Sequence, residues 1–138
     1  MVKEFEKFTI SQAAILIKDN KCLIGEDASH PGRWALPGGR IDKGEDRETA
    51  FRRELIEEIN LPEFKVIELI DYHAWHNNEI ARASVIFLIE AEIDKIKAGE
   101  EFSQLKWVEE KDLDNYNFIW DHAIQAIKKG FKVYRNIQ

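Results

Sequence analysis

The sequence predicts an α/β (α+β) fold in which a mixed β-sheet is packed between helices. Stretches rich in β-branched and aromatic residues are separated by turn signals, and two other stretches carry apolar residues at helical spacing. The predicted order of elements is β-β-loop-α-β-β-β-α. At 138 residues the chain can bury a core but is too short for two ordinary domains, so we expect one domain over residues 1–138.

The first third of the chain predicts a hairpin followed by a long loop. Residues 9–18 (TISQAAILIK) and 21–26 (KCLIGE) have the composition of two strands, joined by a tight turn at "DN". Residues 28–44 carry four of the seven glycines and two of the three prolines, which predicts a loop with at most a short strand at 34–36. Loops of this length tend to be functional.

The remaining elements follow from periodicity and composition. Residues 46–59 place apolar side chains on one helical face and charged side chains on the others, which predicts an amphipathic helix. Residues 65–76 and 80–93 flank "NNE" and predict a long hairpin, with a further short strand at 104–109. A last helix is expected over 118–130, where "KKG" is typical of a helix end.

Composition excludes several classes of function. A net charge of -6 and a pI near 5.3 argue against broad attachment to nucleic acid or to an anionic membrane. No apolar run approaches the roughly 20 residues of a membrane helix, and no secretory segment is visible. Cys22 is the only cysteine, which suits a reducing interior, so we expect a cytoplasmic protein. The apolar stretch VIFLI at 85–89 could form a homodimer interface, although burial in the core explains it as well.

Three glutamates are crowded onto the first predicted helix. Glu54, Glu57 and Glu58 have i, i+3, i+4 spacing, which places their Cβ atoms roughly 5 to 6 Å apart on one face. One interpretation is a solvated face in which they pair with Arg52 or Arg53. The other is that a hard divalent cation relieves their repulsion, since Mg²⁺ favours carboxylate oxygens. The glutamates alone do not distinguish the two.

The residues around these glutamates resemble the box of the Nudix family, G-x5-E-x7-R-E-U-x-E-E-x-G-U, where U is a bulky aliphatic residue. Eight of the nine specified positions match within residues 39–61: Gly39, Glu45, Arg53, Glu54, Leu55, Glu57, Glu58 and Leu61. The one departure is Asn60, which stands where the family has glycine. Because asparagine tolerates the left-handed conformation, we expect the helix-ending turn to persist.

The resemblance implies a Nudix α/β/α sandwich and hydrolysis of a nucleoside diphosphate linked to another group, by water attack on phosphorus with Mg²⁺ or Mn²⁺ bound. It implies these metal ligands: Glu54, Glu57, Glu58 and the carbonyl of Gly38. Arg53 would hold a glutamate in one rotamer. Members of the family differ over whether a box glutamate, such as Glu54 or Glu57, or a later one is the general base. A late loop here offers Glu101, then Glu100.

Substrate-binding residues are expected near the start of the last helix and next to the box glycines. Trp120 could stack on a purine while Asp121 accepts its N–H groups, but a core tryptophan and a helix-start acid are the simpler explanation. Arg40 is predicted to contact substrate. His73 and His76 are three apart on a predicted strand and face opposite sides, so a shared zinc ion is not expected.

Three other functions are compatible with this resemblance. A noncatalytic nucleotide-binding sensor domain often lacks box glutamates, whereas this chain keeps all four. Isoprenoid isomerisation and messenger-RNA cap removal occur on the same fold. The first needs a cysteine-centred site, and Cys22 lies in a strand before the box. The second fits poorly with an acidic chain that has no added RNA-binding region. An enzyme acting on a small nucleotide is the main expectation.

Overall fold

The computed structural model describes residues 3–138, without the side chain of Asn77. Met1 and Val2, which open the predicted domain, lie outside the described residues. The elements follow in the order β1 (Phe8–Lys18), β2 (Lys21–Asp27), β3 (Arg33–Ala35), β4 (Gly38–Arg40), α1 (Arg47–Ile59), β5 (Lys65–Asn77), β6 (Ile80–Glu90), β7 (Phe102–Glu109), a 3-10 helix (Glu110–Asn115), β8 (Asn117–Phe118) and α2 (Ala123–Asn136).

The strands form one mixed sheet with β1 near its centre. The strand order is β5-β6-β1-β2-β3-β8, with β4 added beside β1 and β7 beside β2. The β1–β6 and β3–β8 pairs are parallel and the others antiparallel. Asp19 and Asn20 have φ values of 51° and 63°, which a two-residue hairpin turn of this hand requires. The predicted β1–β2 hairpin is confirmed.

Alternation along β1 divides the core into two layers. Ile15 belongs to a buried cluster under α2, whereas its neighbour Leu16 belongs to a buried cluster under α1. Phe131 anchors α2 on the first layer and Phe51 anchors α1 on the second. Because both faces of the central strand are covered, it reads as a continuous apolar run. The predicted mixed sheet between helices is confirmed.

Helix α1 has the predicted boundaries because both ends are capped. The Asp46 side chain accepts a hydrogen bond from the Thr49 N–H at 2.8 Å. At the other end Asn60 adopts φ 57° and ψ 42°, and the Leu61 N–H reaches back to the Leu55 carbonyl at 3.1 Å. Asparagine therefore makes the left-handed turn that glycine makes in the family pattern.

The last helix differs from its prediction at both ends. Pairing with β3 holds residues 117–118 extended, and the Ile119 N–H donates to the Trp34 carbonyl at 2.9 Å. Helix α2 therefore begins at Ala123 rather than at 118. Gly130 lies inside α2 and does not end it. A Cβ there would lie 2.9 Å from Ile15 Cδ1, so glycine lets the helix pack closely on β1.

Three smaller differences complete the comparison. The short strand β4 was not predicted, because two of its three residues are glycines and give no side-chain pattern. Strand β6 ends at Glu90, three residues before the predicted end, and β7 begins at Phe102.

Residues 86–89 are buried in the core. Within residues 3–138, no helix combines the length and apolarity that a membrane crossing requires.

Candidate active site

Three carboxylates converge where α1 meets the start of β7. One oxygen each from Glu54, Glu58 and Glu101 lies within 4.8 Å of the others. Glu58 is only 6% exposed, whereas Glu101 is exposed. Like charges this close repel unless a counter-charge joins them. A set of hard oxygen ligands fits a divalent cation such as Mg²⁺ or Mn²⁺.

The electrostatics of the cluster agree with a cation site. Burial, reinforced by a hydrogen bond with Glu101, raises the pKa of Glu58 to about 10. Burial also raises the pKa of Glu54, against the opposing effect of Arg53. Without a counter-charge the cluster therefore retains a proton at neutral pH. A divalent cation would take the place of that proton.

The loop between β6 and β7 brings Glu101 to the helix. The Gly99 N–H donates to the Glu58 carbonyl at 2.8 Å, and the Asn60 side-chain amide donates to the Lys95 carbonyl at 2.9 Å. A Cβ on Gly99 would lie 1.9 Å from the Glu57 carbonyl oxygen, so only glycine permits this approach. The sequence analysis did not single out Gly99, although a glycine directly before two glutamates could have indicated a close approach of the backbone at this loop.

Arg53 organises the acidic groups on the other side of the cluster. Its Nε and Nη2 donate to the two carboxylate oxygens of Glu45 at 2.8 Å each, and its Nη1 donates to Glu54 Oε1 at 2.9 Å. Its Nη2 also reaches the Arg40 carbonyl at 3.2 Å. The hydrogen bonds from Arg53 lower the pKa of Glu45 to about 2. This guanidinium therefore fixes one cluster carboxylate and the end of β4 at Arg40.

Glu57 occupies a different position from the other two box glutamates. Its side chain is 54% exposed, and its Oε2 lies 3.5 Å from Arg53 Nη1. It is absent from the group of converging oxygens, where Glu101 joins Glu54 and Glu58 instead. The metal-ligand role of Glu57 stays a prediction.

The two box glycines allow the cluster to lie against β1. A Cβ on Gly38 would fall 1.9 Å from the Gln12 carbonyl oxygen, and one on Gly39 would fall 2.2 Å from Glu54 Cδ. The Gly38 N–H donates to Glu58 Oε1 at 2.6 Å, which fixes that buried carboxyl. A metal contact from the Gly38 carbonyl stays a prediction.

An open cleft extends from the carboxylates to the predicted substrate-binding residues. A cavity of about 210 Å³ beside Glu58 and Glu101 shares Trp120 with a larger cavity of about 620 Å³. Other residues lining the larger cavity include His30, Arg40, Trp75 and Arg82. Asp121 lines a third cavity, between Trp75 and Trp120. Trp120 and Asp121 precede α2, where they were expected to open it.

Sequence reasoning missed Trp75 and Arg82 as cleft residues. They lie directly opposite each other in the β5–β6 register. The hairpin itself was predicted, but composition does not fix which residues of its two strands lie opposite each other.

Comparison with known proteins identifies the family. Residues 7–128 match the model of the NUDIX domain. The nucleoside triphosphatase NudI of Escherichia coli O139:H28 is 33% identical over 107 residues, covering 70% of this chain and 76% of the relative. The E. coli ORF135 protein has a TM-score of 0.79 at 22% identity, covering 96% of this chain and 94% of that one. A C. elegans Ap4A hydrolase has a TM-score of 0.77 at 18% identity, covering 94% of this chain and 99% of that one. The chain therefore belongs to the Nudix family and is a Nudix pyrophosphohydrolase.

Proposed function

We propose that the protein hydrolyses the pyrophosphate linkage of a nucleoside triphosphate, canonical or oxidised, or of a related nucleotide conjugate. Water attacks phosphorus, with Mg²⁺ or Mn²⁺ bound. The observation that carries this proposal is the convergence of Glu54, Glu58 and Glu101 beside a cleft lined by arginine and tryptophan. The name of the NudI relatives, nucleoside triphosphatase, supports the substrate class.

The proposed metal ligands are Glu54, Glu57, Glu58 and the Gly38 carbonyl. A divalent cation held there would neutralise phosphate charge and lower the pKa of the attacking water. The chain prepares the site through fixed hydrogen bonds: Arg53 keeps Glu54 from rotating away, and the Gly38 N–H keeps Glu58 in place. Fixed ligands reduce the reorganisation that catalysis would otherwise require.

We assign the general base to Glu101. Glu54 already accepts a hydrogen bond from Arg53, and Glu58 is buried and accepts one from Gly38. Glu101 is the exposed member of the cluster, so water can reach its carboxylate. That carboxylate takes the proton of the attacking water as the new O–P bond forms. A positioned base of this kind contributes about 10² to 10⁴ in rate.

The larger cavity suits the rest of a nucleotide. Its volume of about 620 Å³ is typical of a small-molecule site. Arg40 lies next to the glycines of the cluster, where it can pair with phosphate. Trp120 offers a face for the base and Asp121 an acceptor for base N–H groups.

The test is phosphate release from a panel of nucleotides with and without Mg²⁺. The panel contains canonical and oxidised nucleoside triphosphates, ADP-ribose, nucleotide sugars, dinucleoside polyphosphates and capped RNA. We expect Mg²⁺-dependent turnover of a nucleoside triphosphate that falls by about 10² or more in Glu101→Gln and persists in the neighbouring control Glu100→Gln. Tight binding of one nucleotide without turnover of any would instead support a sensor.

A further inference from the structure

A pair of stacked histidines lies behind the cleft. The rings of His73, on β5, and His122, just before α2, have centroids 3.8 Å apart at 31°. The His122 ring also stacks on Trp120, at 5.6 Å and 18°, and contacts Trp75 at 5.8 Å. The hydrolysis proposed above uses neither histidine. The pair nevertheless connects the sheet to the tryptophan that lines both main cavities.

Ring contacts, rather than hydrogen bonds, hold this pair together. The Nε2 atoms of both histidines are buried and have no hydrogen-bond partner among the described residues. Asp71 Oδ2 lies 3.4 Å from His73 Nε2 but accepts its hydrogen bond from Lys129, at 2.9 Å. Ser84 faces His73 across the β5–β6 register and is fully buried, and its Oγ is likewise without a partner in the described part of the chain.

Such unpaired polar atoms cost stability, since a polar group buried without a hydrogen bond loses its contacts with water and gains none in return. Phenylalanine would offer the same stacking surface without that cost. The use of two histidines here therefore points to their titration rather than to their shape alone.

The surroundings of His122 oppose its protonation. Burial, and then the neighbouring His73, lower the pKa of His122, against the opposing effects of Asp71 and Asp121. Lys129 on α2 neutralises part of the Asp71 charge. Strand β6 presents the uncharged Ser84. If both rings were protonated, their positive charges would lie about 3.8 Å apart in a partly buried setting and would repel each other strongly.

We propose that His73 and His122 are positioning residues that hold Trp120 against the nucleotide cavity, and that full protonation of the pair separates the rings and loosens Trp120. This rests on the proposed function in taking Trp120 as a substrate-binding wall. The expected consequence is weaker nucleotide binding in mild acid, measured as a rise in KM. The separate carboxylate cluster sets kcat.

The first test needs no nucleotide. The indole N–H resonance of Trp120, assigned by its loss in Trp120→Phe, is followed by NMR from pH 8 down to about pH 5.5. We expect it to shift together with the histidine ring protons in the wild type. In His73→Phe and in His122→Phe, which keep the stack but remove one titrating ring, the Trp120 shift should be largely lost. A wild-type resonance that does not move, or movement in both variants as large as that in the wild type, overturns the proposal.

The second test is kinetic and uses the canonical nucleoside triphosphate that is turned over fastest. Between pH 8 and pH 6 the KM of the wild type should rise about tenfold more than the KM of the Phe variants. A tenfold difference is equivalent to about 1.4 kcal/mol. His122→Ala should raise KM at both pH values, and His122→Phe should restore the low value. Equal KM profiles in wild type and His122→Phe contradict the proposal. If no nucleotide is turned over, the proposed function fails, and the NMR result still decides the role of the histidines.

Discussion

At the scale of single residues, Arg53 has the largest number of distinct tasks. Its planar guanidinium binds Glu45 with two donors and uses a third for Glu54. Lysine has one compact ammonium group and cannot reproduce that fork. Arg53 therefore holds the carboxylates of Glu45 and Glu54 in position and balances the negative charge of Glu45 in the same contact.

Replacement of Arg53 by lysine should lower activity while the fold persists. Loss of the contact with Glu54 frees a cluster carboxylate, and a supporting residue of this kind is worth about 10- to 100-fold in metal affinity or activity. The measurement is kcat as a function of Mg²⁺ concentration, with thermal unfolding as the check on folding. Wild-type kinetics in Arg53→Lys would show that Glu54 does not depend on this contact.

Glu45 gives a prediction about pH. Hydrogen bonds from Arg53 depress its pKa to about 2 from an ordinary value of 4.5, so its ionised form stabilises the folded state above pH 4.5 and that contribution is lost as the pH falls toward 2. Wild type and Glu45→Gln should differ in urea-unfolding stability at neutral pH and converge in strong acid. A constant difference across the whole range would exclude the ion pair as its cause.

At the scale of elements, the docking of the β6–β7 loop on α1 creates the site. Gly99 has no room for a Cβ, because backbone of α1 lies 1.9 Å from where it would stand. Gly99→Ala should displace the loop, cost about 1 to 3 kcal/mol of stability, and lower activity by roughly 100-fold through misplacement of Glu101. Kinetics and urea unfolding measure the two effects, with Glu100→Ala as control. Unchanged kcat in Gly99→Ala would show that catalysis does not depend on the position of this loop.

The elements also show what sequence could predict. The extent of α1 was predictable because it depends on local signals: the helical periodicity of residues 46–59 and an asparagine that tolerates positive φ. The start of α2 was not, because the β3–β8 pairing that holds residues 117–118 extended is a contact between distant parts of the chain. Convergence of Glu101 with Glu54 and Glu58 is also a tertiary contact. Helical spacing grouped Glu57 with those two, whereas the third converging oxygen in the structure belongs to Glu101.

At the scale of the whole molecule, the cluster would couple the proposed metal binding to folding. The Glu58 pKa of about 10 exceeds its ordinary value of 4.5, so the metal-free folded protein binds an extra proton and loses stability as the pH rises between those values. A divalent cation needs that carboxylate deprotonated. Stabilisation by excess Mg²⁺, relative to EDTA, should therefore be larger near pH 9 than near pH 6 in thermal unfolding. Equal Mg²⁺ stabilisation at both pH values would show that no proton is displaced.

The most direct test of the carboxylate cluster as the metal centre is a titration of the protein with Mn²⁺, followed by the electron paramagnetic resonance of the free ion. Wild type should bind Mn²⁺ saturably. Glu58→Gln should lose most of this binding, and Glu48→Gln, on an exposed first-turn side chain of the same helix, should retain it. Binding by Glu58→Gln equal to that of the wild type would contradict the assignment.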